Sequence, residues 1–252
     1  MKQKMMRDGS AFTRLVLLDV TAVVLVFLMT ALLFLARHRV YSSSHRISCA
    51  NNLKEIGVAY RLWASDNGDL TPAEQKVAKG GWGDFLTNAD QGLICWTNYV
   101  LMQNELGQSP KLVLCPTDER RAAADFATNF KDNTHLSYFV GVSANDEHPQ
   151  SIQGGDRNLG PGTEPDSDYG FSPKSGKGND VALPISGPVS WSLKMHSAGW
   201  RPGAGNILIA DGSAQQASST SVSRNWLRNA DPTTNWPAGH IPSSAFIRLV
   251  FP

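Results

Sequence analysis

Leu15–Ala36 reads LVLLDVTAVVLVFLMTALLFLA and is the longest apolar run in the chain. Only Asp19, Thr21 and Thr30 are polar in it. A helix of this length is about 33 Å long, which matches the roughly 30 Å hydrocarbon core of a bilayer. A cleavable secretory signal usually has an apolar region of about 7–15 residues and ends at small residues, whereas this run meets Arg37. The run therefore predicts a retained transmembrane helix.

Basic residues on the two sides of this run set its expected orientation. More of them precede the run than follow it: Lys2, Lys4, Arg7 and Arg14 against Arg37, Arg39 and Arg46. Cytoplasmic segments carry the excess of Lys and Arg, so we expect a single pass through the cytoplasmic (inner) membrane. The N-terminus then lies in the cytoplasm and the bulk of the chain is extracytoplasmic, or periplasmic. Asp19, one turn into the span, is either a contact for another helix or a carboxylate that stays hydrated near the headgroups.

The helical pattern continues beyond the apolar run. Apolar residues recur on one face at three- and four-residue steps: Leu53, Ile56, Tyr60 and Trp63. Asn67 and Gly68 are expected to end the helix, because both tolerate the left-handed conformation found at helix ends. This part of the chain divides into a basic leader at 1–11, a transmembrane half at 12–36 and an amphipathic half at 37–68.

Residues 69–252 have the pattern of a globular head. Short apolar runs between turns predict strands at 110–115, 136–142, 204–210 and 246–251, and short helices at 104–107 and 120–130. A third of residues 153–189 are Gly or Pro, which predicts a surface loop without a central strand. The expected fold class is α+β, with a long N-terminal helix and a C-terminal antiparallel sheet.

The sequence carries little catalytic signal. It has no Cys-x-x-Cys, His-Glu-x-x-His or Gly-x-Ser-x-Gly motif, so the common zinc and serine-hydrolase signatures are absent. Its 23 basic and 22 acidic residues give a net charge of +1, which argues against a nucleic-acid partner. His196 with Asp211-Gly212 is better explained by a turn between two strands than by a metal-binding or acid–base pair. No catalytic residue, enzyme activity or cofactor is predicted.

Two further features have more than one interpretation. Four tryptophans beside Gly or Pro belong either to the core or to sugar-stacking platforms: Trp82, Trp191, Trp200 and Trp236. Arg157, within Gly155-Asp156-Arg157-Asn158, is expected to bridge carboxylates in an internal salt-bridged turn.

Several segments resemble type IV pilins and the pseudopilins of type II secretion. AFTRLVLL at 11–18 is similar to the prepilin-type N-terminal cleavage and methylation segment of these proteins. Further blocks are similar to pseudopilin-like proteins of planctomycete and verrucomicrobial bacteria: RISCANNLKEIG (46–57), WASDNGD (63–69), LCPTD (114–118), SYFVG (137–141), GDRN (155–158) and NILIADGS (206–213), the last downstream of His196. The resemblance implies a pilin-like fold, in which the sheet of the head packs on the second half of the long helix.

The same resemblance implies a processing site. A prepilin peptidase would cut between Ala11 and Phe12, and Phe12 would then be methylated. Ala11 stands where the family prefers Gly, and Val16 stands where pilins usually carry Glu, whose charge pairs with the N-terminal amine of a neighbour during assembly. Two outcomes remain, a processed subunit and a permanently anchored relative that keeps its leader.

The resemblance also separates the three cysteines into two groups. Cys49 and Cys115 lie inside blocks that resemble the family, and Cys95 does not. In an exported head, Cys49 and Cys115 either form a disulfide that joins the long helix to the sheet or remain reduced, buried thiols. Cys95 is expected to be a small buried hydrophobe rather than a nucleophile.

The expected function is non-enzymatic. The resemblance implies a membrane-anchored component of a type II secretion or type IV pilus-like assembly, which contacts other pseudopilins or secretion-system components through its N-terminal helix. Because major pseudopilins bind calcium in the head, Asp156, Asp166 and Asp168 are candidate calcium ligands. The alternative is a membrane-anchored extracytoplasmic binding module for a polysaccharide or another surface ligand, which no longer assembles into filaments.

Overall fold

The computed structural model describes residues 2–87, 95–142, 144–185, 187–196, 203–217 and 246–252. For residues 2–11, 35–43 and 182 it describes the backbone only. The chain forms two compact units, Met1–Ser43 and Ser44–Pro252. The second unit contains the end of the long helix and all the strands described below.

Two α-helices lie in the described residues. Helix α1 extends over Lys2–Asp66, and helix α2 over Cys95–Leu101. Shorter 3₁₀ helices occur at Val77–Lys79, Gly83–Thr87, Pro110–Val113 and Asn133–His135. Helix α1 ends where Asn67-Gly68 predicted: Gly68 has a φ of 74°, and the Asp69 N–H donates to the Ala64 carbonyl at 2.9 Å. The left-handed turn thus satisfies a carbonyl that the helix end leaves free.

The first part of α1 is long and apolar enough to cross a membrane. The segment Phe12–Phe34 has a mean hydropathy of 2.6, and none of it is buried. Two of its three threonines, Thr21 and Thr30, donate their hydroxyls to the carbonyls of Leu18 and Phe27, each at 2.8 Å. A span needs this internal pairing because lipid offers no hydrogen-bond partner. The predicted membrane-length helix is therefore present, which is consistent with membrane anchoring.

The strands of the head pair in antiparallel fashion throughout. Their bounds are β1 Tyr138–Gly141, β2 Ile152–Asp156, β3 Leu159–Pro161, β4 Asn179–Pro184, β5 Val189–Trp191, β6 Gly205–Ile209, β7 Ala214–Ala217 and β8 Phe246–Phe251. Among the described residues they form a six-stranded sheet in the order β4-β8-β1-β2-β6-β7 and a separate pair, β3-β5. An N-terminal apolar helix followed by an antiparallel sheet confirms the α+β class.

The prediction of a loop over 153–189 is wrong for its two ends. This stretch contains most of β2, in the interior of the six-stranded sheet, as well as β3, β4 and the first residue of β5. Glycine is present in β2 because its neighbours lie very close. A Cβ on Gly155 would come within 2.7 Å of the Phe139 ring and 2.8 Å of the Asn206 carbonyl oxygen. These glycines therefore mark close packing inside a strand rather than a loop.

Two other predictions for the head also need correction. Residues 110–115 were expected to be a strand, but Pro110–Val113 is a 3₁₀ helix whose first turn begins with proline. Proline fixes φ near the helical value, so the apolar run bends into a turn instead of extending. Residues 120–130, predicted to hold a short helix, form turns and bends; Asp125 accepts from the Thr128 N–H at 2.5 Å and competes with helical pairing.

The second part of α1 supplies one side of the core. The predicted face is buried: Leu53, Ile56, Tyr60 and Trp63 are between 0% and 5% exposed. It packs with α2 and with the sheet residues Tyr138, Val140, Leu208 and Val250. Gly57 lies where the helix approaches the sheet most closely, because a Cβ there would come within 2.9 Å of Leu208 Cδ1. Each large apolar side chain buried in this way contributes about 1.5–3 kcal/mol to the free energy of unfolding.

The opposite face of the sheet carries a second apolar cluster. Alternate residues of the same strands point there, as the period of two along a strand requires: Phe139, Ile207, Ile209, Leu249 and Phe251. Trp191 belongs to this cluster, and Trp82 belongs to the cluster on the helix side; both are fully buried. Their burial favours the core interpretation over sugar stacking for these two. Trp200 and Trp236 lie outside the described residues.

Candidate functional site

A disulfide fixes α1 to the rest of the head. Cys49 lies on α1, Cys115 follows the 3₁₀ helix Pro110–Val113, and the two Cα atoms are 5.3 Å apart. Both cysteines are fully buried. Beside this bond, the Asn52 amide donates to the Leu114 carbonyl at 3.1 Å and to the Tyr138 hydroxyl at 3.3 Å. The helix is thus held to the segment before β1 by one covalent bond and by polar contacts one turn further along.

His196 lies directly beside the disulfide. Its Nε2 atom is 3.6 Å from Cys115 Sγ and 3.1 Å from Asp156 Oδ2. The side chains of His196 and Asp156 are both fully buried. The imidazole therefore connects a sulfur atom to a carboxylate in the interior of the head.

The sheet holds the Asp156 carboxylate in place. Asp156 ends β2, and Asn206 lies on the neighbouring strand β6. Asn206 donates to Asp156 Oδ2 twice, from its backbone N–H at 2.6 Å and from its side-chain amide at 2.8 Å. Arg46 on α1 is close by: its Nη2 donates to the Gly205 carbonyl at 3.3 Å. Burial lowers the pKa of Arg46, and the negative charge of Asp156 opposes that effect.

Several buried polar atoms of this cluster lack a hydrogen-bond partner among the described residues. They are Asp156 Oδ1, His196 Nδ1, Asn206 Oδ1 and Arg46 Nε. A buried polar atom left unpaired costs about 1–3 kcal/mol, and more when it is charged.

A second buried polar cluster is built around Arg157. Its guanidinium donates to both carboxylate oxygens of Asp118, at 2.7 and 2.8 Å, as expected from the sequence. The same guanidinium stacks 3.3 Å from the centre of the Tyr169 ring. Burial alone would raise the pKa of Asp118, but the hydrogen bonds and charge of Arg157 and the hydroxyl of Ser137 hold it below its usual value. This arrangement joins β2 to the loop after Cys115 and has a structural role.

The remaining cysteine is not part of either cluster. Cys95 is fully buried at the start of α2, and its Sγ contacts the Val250 carbonyl at 3.3 Å. Burial raises the pKa of the Cys95 thiol, so it stays protonated and is a poor nucleophile.

The predicted processing residues lie on α1. Phe12 and Val16 belong to the membrane-length segment Phe12–Phe34, where they are 70% and 45% exposed, and Ala11 directly precedes this segment. Processing between Ala11 and Phe12 remains a prediction.

The predicted calcium ligands are separated in the structure. Asp156 contacts His196 and Asn206, whereas Asp168 pairs with Lys174 at 2.9 Å, and Asp166 accepts from the Asp168 N–H. Calcium binding at the three aspartates remains a prediction. Within the described part of the chain, one group of three His, Cys, Asp or Glu residues could hold a metal ion: Cys49, Cys115 and His196.

Sequence reasoning missed the pairing of His196 with Asp156. It compared His196 with Asp211, but Asp211-Gly212 forms the turn between β6 and β7, where Gly212 has a φ of 81°. No local spacing in the sequence relates His196 to Asp156, because the two residues are 40 positions apart and meet only in the folded chain.

A shallow polar cleft lies near the end of α1. Its interior volume is about 20 Å³, room for about one water molecule, and Arg61, Asp69, Thr71, Asn145 and Asp146 contribute polar groups to its lining. Among the described residues that line it there is no cysteine, serine or histidine.

Comparisons with known proteins add no identification. No protein-family model, no curated protein and no solved structure matches the chain.

Proposed function

We propose that the chain is a non-enzymatic, membrane-anchored pseudopilin-like protein of a type II secretion or type IV pilus-like assembly. It crosses the cytoplasmic membrane once, with the N-terminus in the cytoplasm and the head on the extracytoplasmic side. Its activity is assembly: apolar helices pack against one another in the membrane, and the heads contact partner subunits.

The division of α1 into two kinds of surface carries this proposal. Every described side chain of Phe12–Phe34 is exposed, and the segment is apolar on all sides. Between Ser44 and Asp66, by contrast, one face is buried in the head, and the other is exposed and mostly polar, with Ile47, Val58 and Leu62 as its large apolar residues. A helix that is apolar all round needs lipid or other helices around it, whereas an amphipathic one needs a single partner. A subunit that assembles through its membrane helix requires both kinds of surface.

The disulfide supports an extracytoplasmic head. Cys49 and Cys115 are bonded, and such bonds persist in oxidising compartments but are rare in the cytoplasm. This agrees with the orientation that the basic residues before the span predict.

The alternative, an anchored module that binds a polysaccharide or another surface ligand, has one observation in its favour. The polar cleft near the end of α1 offers hydroxyl, amide and carboxylate groups to a polar ligand. Trp82 and Trp191 do not contribute to it, because both are buried in the core.

Mass spectrometry of the N-terminus, on protein purified from native membranes, tests the proposal. A chain that begins at methylated Phe12 supports a processed assembly subunit. A chain that keeps Met1 contradicts processing and favours the anchored binding module. A chain cut beyond Ala36 contradicts the membrane anchor and overturns both.

Labelling with a membrane-impermeant maleimide tests the orientation separately. Lys79 is exposed in the head, so we expect Lys79→Cys to be labelled in spheroplasts. The matched variant Lys4→Cys, on the other side of the span, is labelled in cells without prepilin peptidase, where the leader is retained, and should react only after lysis. The reverse pattern would contradict the proposed orientation.

A further inference from the structure

His196, the two cysteines beside it and Asp156 carry the kinds of atom that bind a borderline-soft metal ion. Cys49 and Cys115 provide two sulfur atoms, His196 a ring nitrogen, and Asp156 a carboxylate oxygen. Thiolate and imidazole together are the ligands that structural zinc sites use, with a carboxylate in some of them. The sulfur and nitrogen atoms already lie within 4.8 Å of one another.

Two of the ligand-to-ligand distances fit a tetrahedral ion without movement. Zinc bonds of about 2.3 Å to sulfur and about 2.0–2.1 Å to nitrogen or oxygen place S and N about 3.6 Å apart, and N and O about 3.3 Å apart. Cys115 Sγ and His196 Nε2 are 3.6 Å apart, and His196 Nε2 and Asp156 Oδ2 are 3.1 Å apart. The S–S bond is the part of the arrangement that has to open.

The surroundings also suit an ion. Asn206 donates two hydrogen bonds to Asp156 Oδ2, which orients that oxygen as partners of metal-binding carboxylates do. All four ligand residues are buried, so an ion here would be shielded from water. The unpaired atoms Asp156 Oδ1 and His196 Nδ1 show that hydrogen bonding within the described chain does not fully account for these side chains.

We propose that Cys49, Cys115 and His196, with Asp156 as the fourth ligand, bind Zn²⁺ when the disulfide is reduced. The disulfide and the metal exclude each other, because both need the same two sulfur atoms. Reduction by a phosphine consumes one water molecule and gives two thiols and the phosphine oxide. As the ion binds, each thiol loses its proton to the buffer, so one Zn²⁺ replaces the two protons of the thiols.

This site is independent of the proposed function, since it requires neither processing nor assembly. It gives the connection between α1 and the head two covalent forms, a disulfide in an oxidising compartment and a metal bridge where the thiols stay reduced.

Titration with Co²⁺, which takes the place of Zn²⁺ in tetrahedral sites and absorbs visible light, tests the proposal. The full chain in detergent is reduced with a phosphine, desalted without oxygen and titrated. We expect a thiolate-to-cobalt charge-transfer band and intense tetrahedral bands that saturate at one equivalent, and that disappear when Zn²⁺ is added. The oxidised chain should give neither band.

Variants identify the ligands. His196→Ala should weaken Co²⁺ binding about tenfold or more, and Cys49→Ala with Cys115→Ala should abolish the charge-transfer band. The controls Cys95→Ser and His135→Ala change a cysteine and a histidine outside the cluster and should leave the bands unchanged. The proposal is overturned if reduced wild-type protein gives no charge-transfer band, or if the band survives in the Cys49→Ala, Cys115→Ala variant.

Circular dichroism shows whether the chain remains folded after reduction. If the reduced chain has lost its thermal transition, we expect one equivalent of Zn²⁺ to restore it in the wild type and not in His196→Ala. A reduced, unfolded chain that Zn²⁺ does not refold also overturns the proposal.

Discussion

Arg157 shows how one residue can hold two parts of the head together. Its guanidinium pairs with both oxygens of Asp118 and stacks on Tyr169, and less than 2% of the Arg157 residue is exposed. A buried ion pair is costly to form, but removing one partner is far more harmful because it leaves the other charge buried and unpaired. Breaking the pair is therefore expected to lower the free energy of unfolding by more than the intact pair adds to it.

We expect Asp118→Asn to lower the free energy of unfolding by about 3–5 kcal/mol at neutral pH, because Arg157 then loses its counter-charge. The effect should depend on pH. The folded pKa of Asp118 lies below its ordinary value of 3.8, so its stabilisation is fully present above that value and is lost as the pH falls through the folded pKa. The difference in unfolding free energy between wild type and Asp118→Asn should therefore become smaller in acid.

Urea unfolding of the full chain in detergent, followed by tryptophan fluorescence from neutral pH into acid, measures this difference. The control is Asp146→Asn, since Asp146 is exposed. A constant gap between wild type and Asp118→Asn across the whole range would contradict the predicted linkage.

At the scale of elements, α1 is attached to the head by one face. Leu53 is fully buried, while Leu62, on the same helix, is 51% exposed. The two leucines have the same helix propensity and differ in burial. Substituting each of them therefore distinguishes the contribution of packing from that of helix formation.

We expect Leu53→Ala to cost about 2–5 kcal/mol of unfolding free energy, because it leaves a cavity between α1 and the sheet. The matched Leu62→Ala should stay within about 0.5 kcal/mol of wild type, as exposed substitutions usually do. Thermal denaturation followed by circular dichroism compares the two. Equal losses would show that the packing of α1 on the head contributes little.

The Cys49–Cys115 disulfide also belongs to this scale. It closes a loop with a sequence separation of 66 residues, which restricts the unfolded chain. The loop-entropy relation predicts that Cys49→Ala with Cys115→Ala destabilises the head by about 4 kcal/mol. Urea unfolding without reductant measures the loss, with Cys95→Ser as the control. No change in the urea midpoint would show that the cross-link contributes nothing to stability.

Elements with a clear period could be predicted from the sequence. The buried face of α1 follows a helical repeat, and β8 occupies the range 246–251 that its apolar run predicted. Strand β2 was missed because its glycines are required by contacts with Phe139 and Asn206, which lie elsewhere in the chain. Residues 110–115 were predicted as a strand, although Pro110 begins a 3₁₀ turn.

The candidate site was less predictable than the fold. His196 and Asp156 meet through the placement of β2 and of the chain before β6, and no local spacing reports such a contact. The sequence is compatible both with a Cys49–Cys115 disulfide and with two reduced thiols, because it does not give the distance between the two Cα atoms. The metal-binding group follows from these long-range contacts and was therefore not foreseen.

At the scale of the whole molecule, the chain combines two environments. Phe12–Phe34 has a composition suited to lipid, whereas the unit Ser44–Pro252 has its own apolar core on both faces of a sheet. The membrane part and the head can therefore be perturbed separately.

We expect Val24→Arg with Phe27→Arg to release the chain from membranes. Both side chains are exposed in the middle of the span, and each arginine at the centre of a membrane helix costs about 2.5–3.5 kcal/mol. The fraction of the chain that stays in the membrane pellet after alkaline carbonate extraction should fall. Leu62→Arg, in the exposed part of α1, is the control, and an unchanged pellet fraction in the double variant would argue against a spanning helix.

The position of the disulfide has a mechanical consequence. Cys49 lies near the N-terminal end of the part of α1 that packs in the head. A pulling force that enters from the N-terminal part of α1 reaches this bond before it reaches Leu53, Ile56 or Trp63. The bond passes the load to the chain at Cys115, so the helix cannot be peeled from the head one turn at a time. The head should resist tension as a single body when the bond is intact, and should unzip from Cys49 onward when it is reduced.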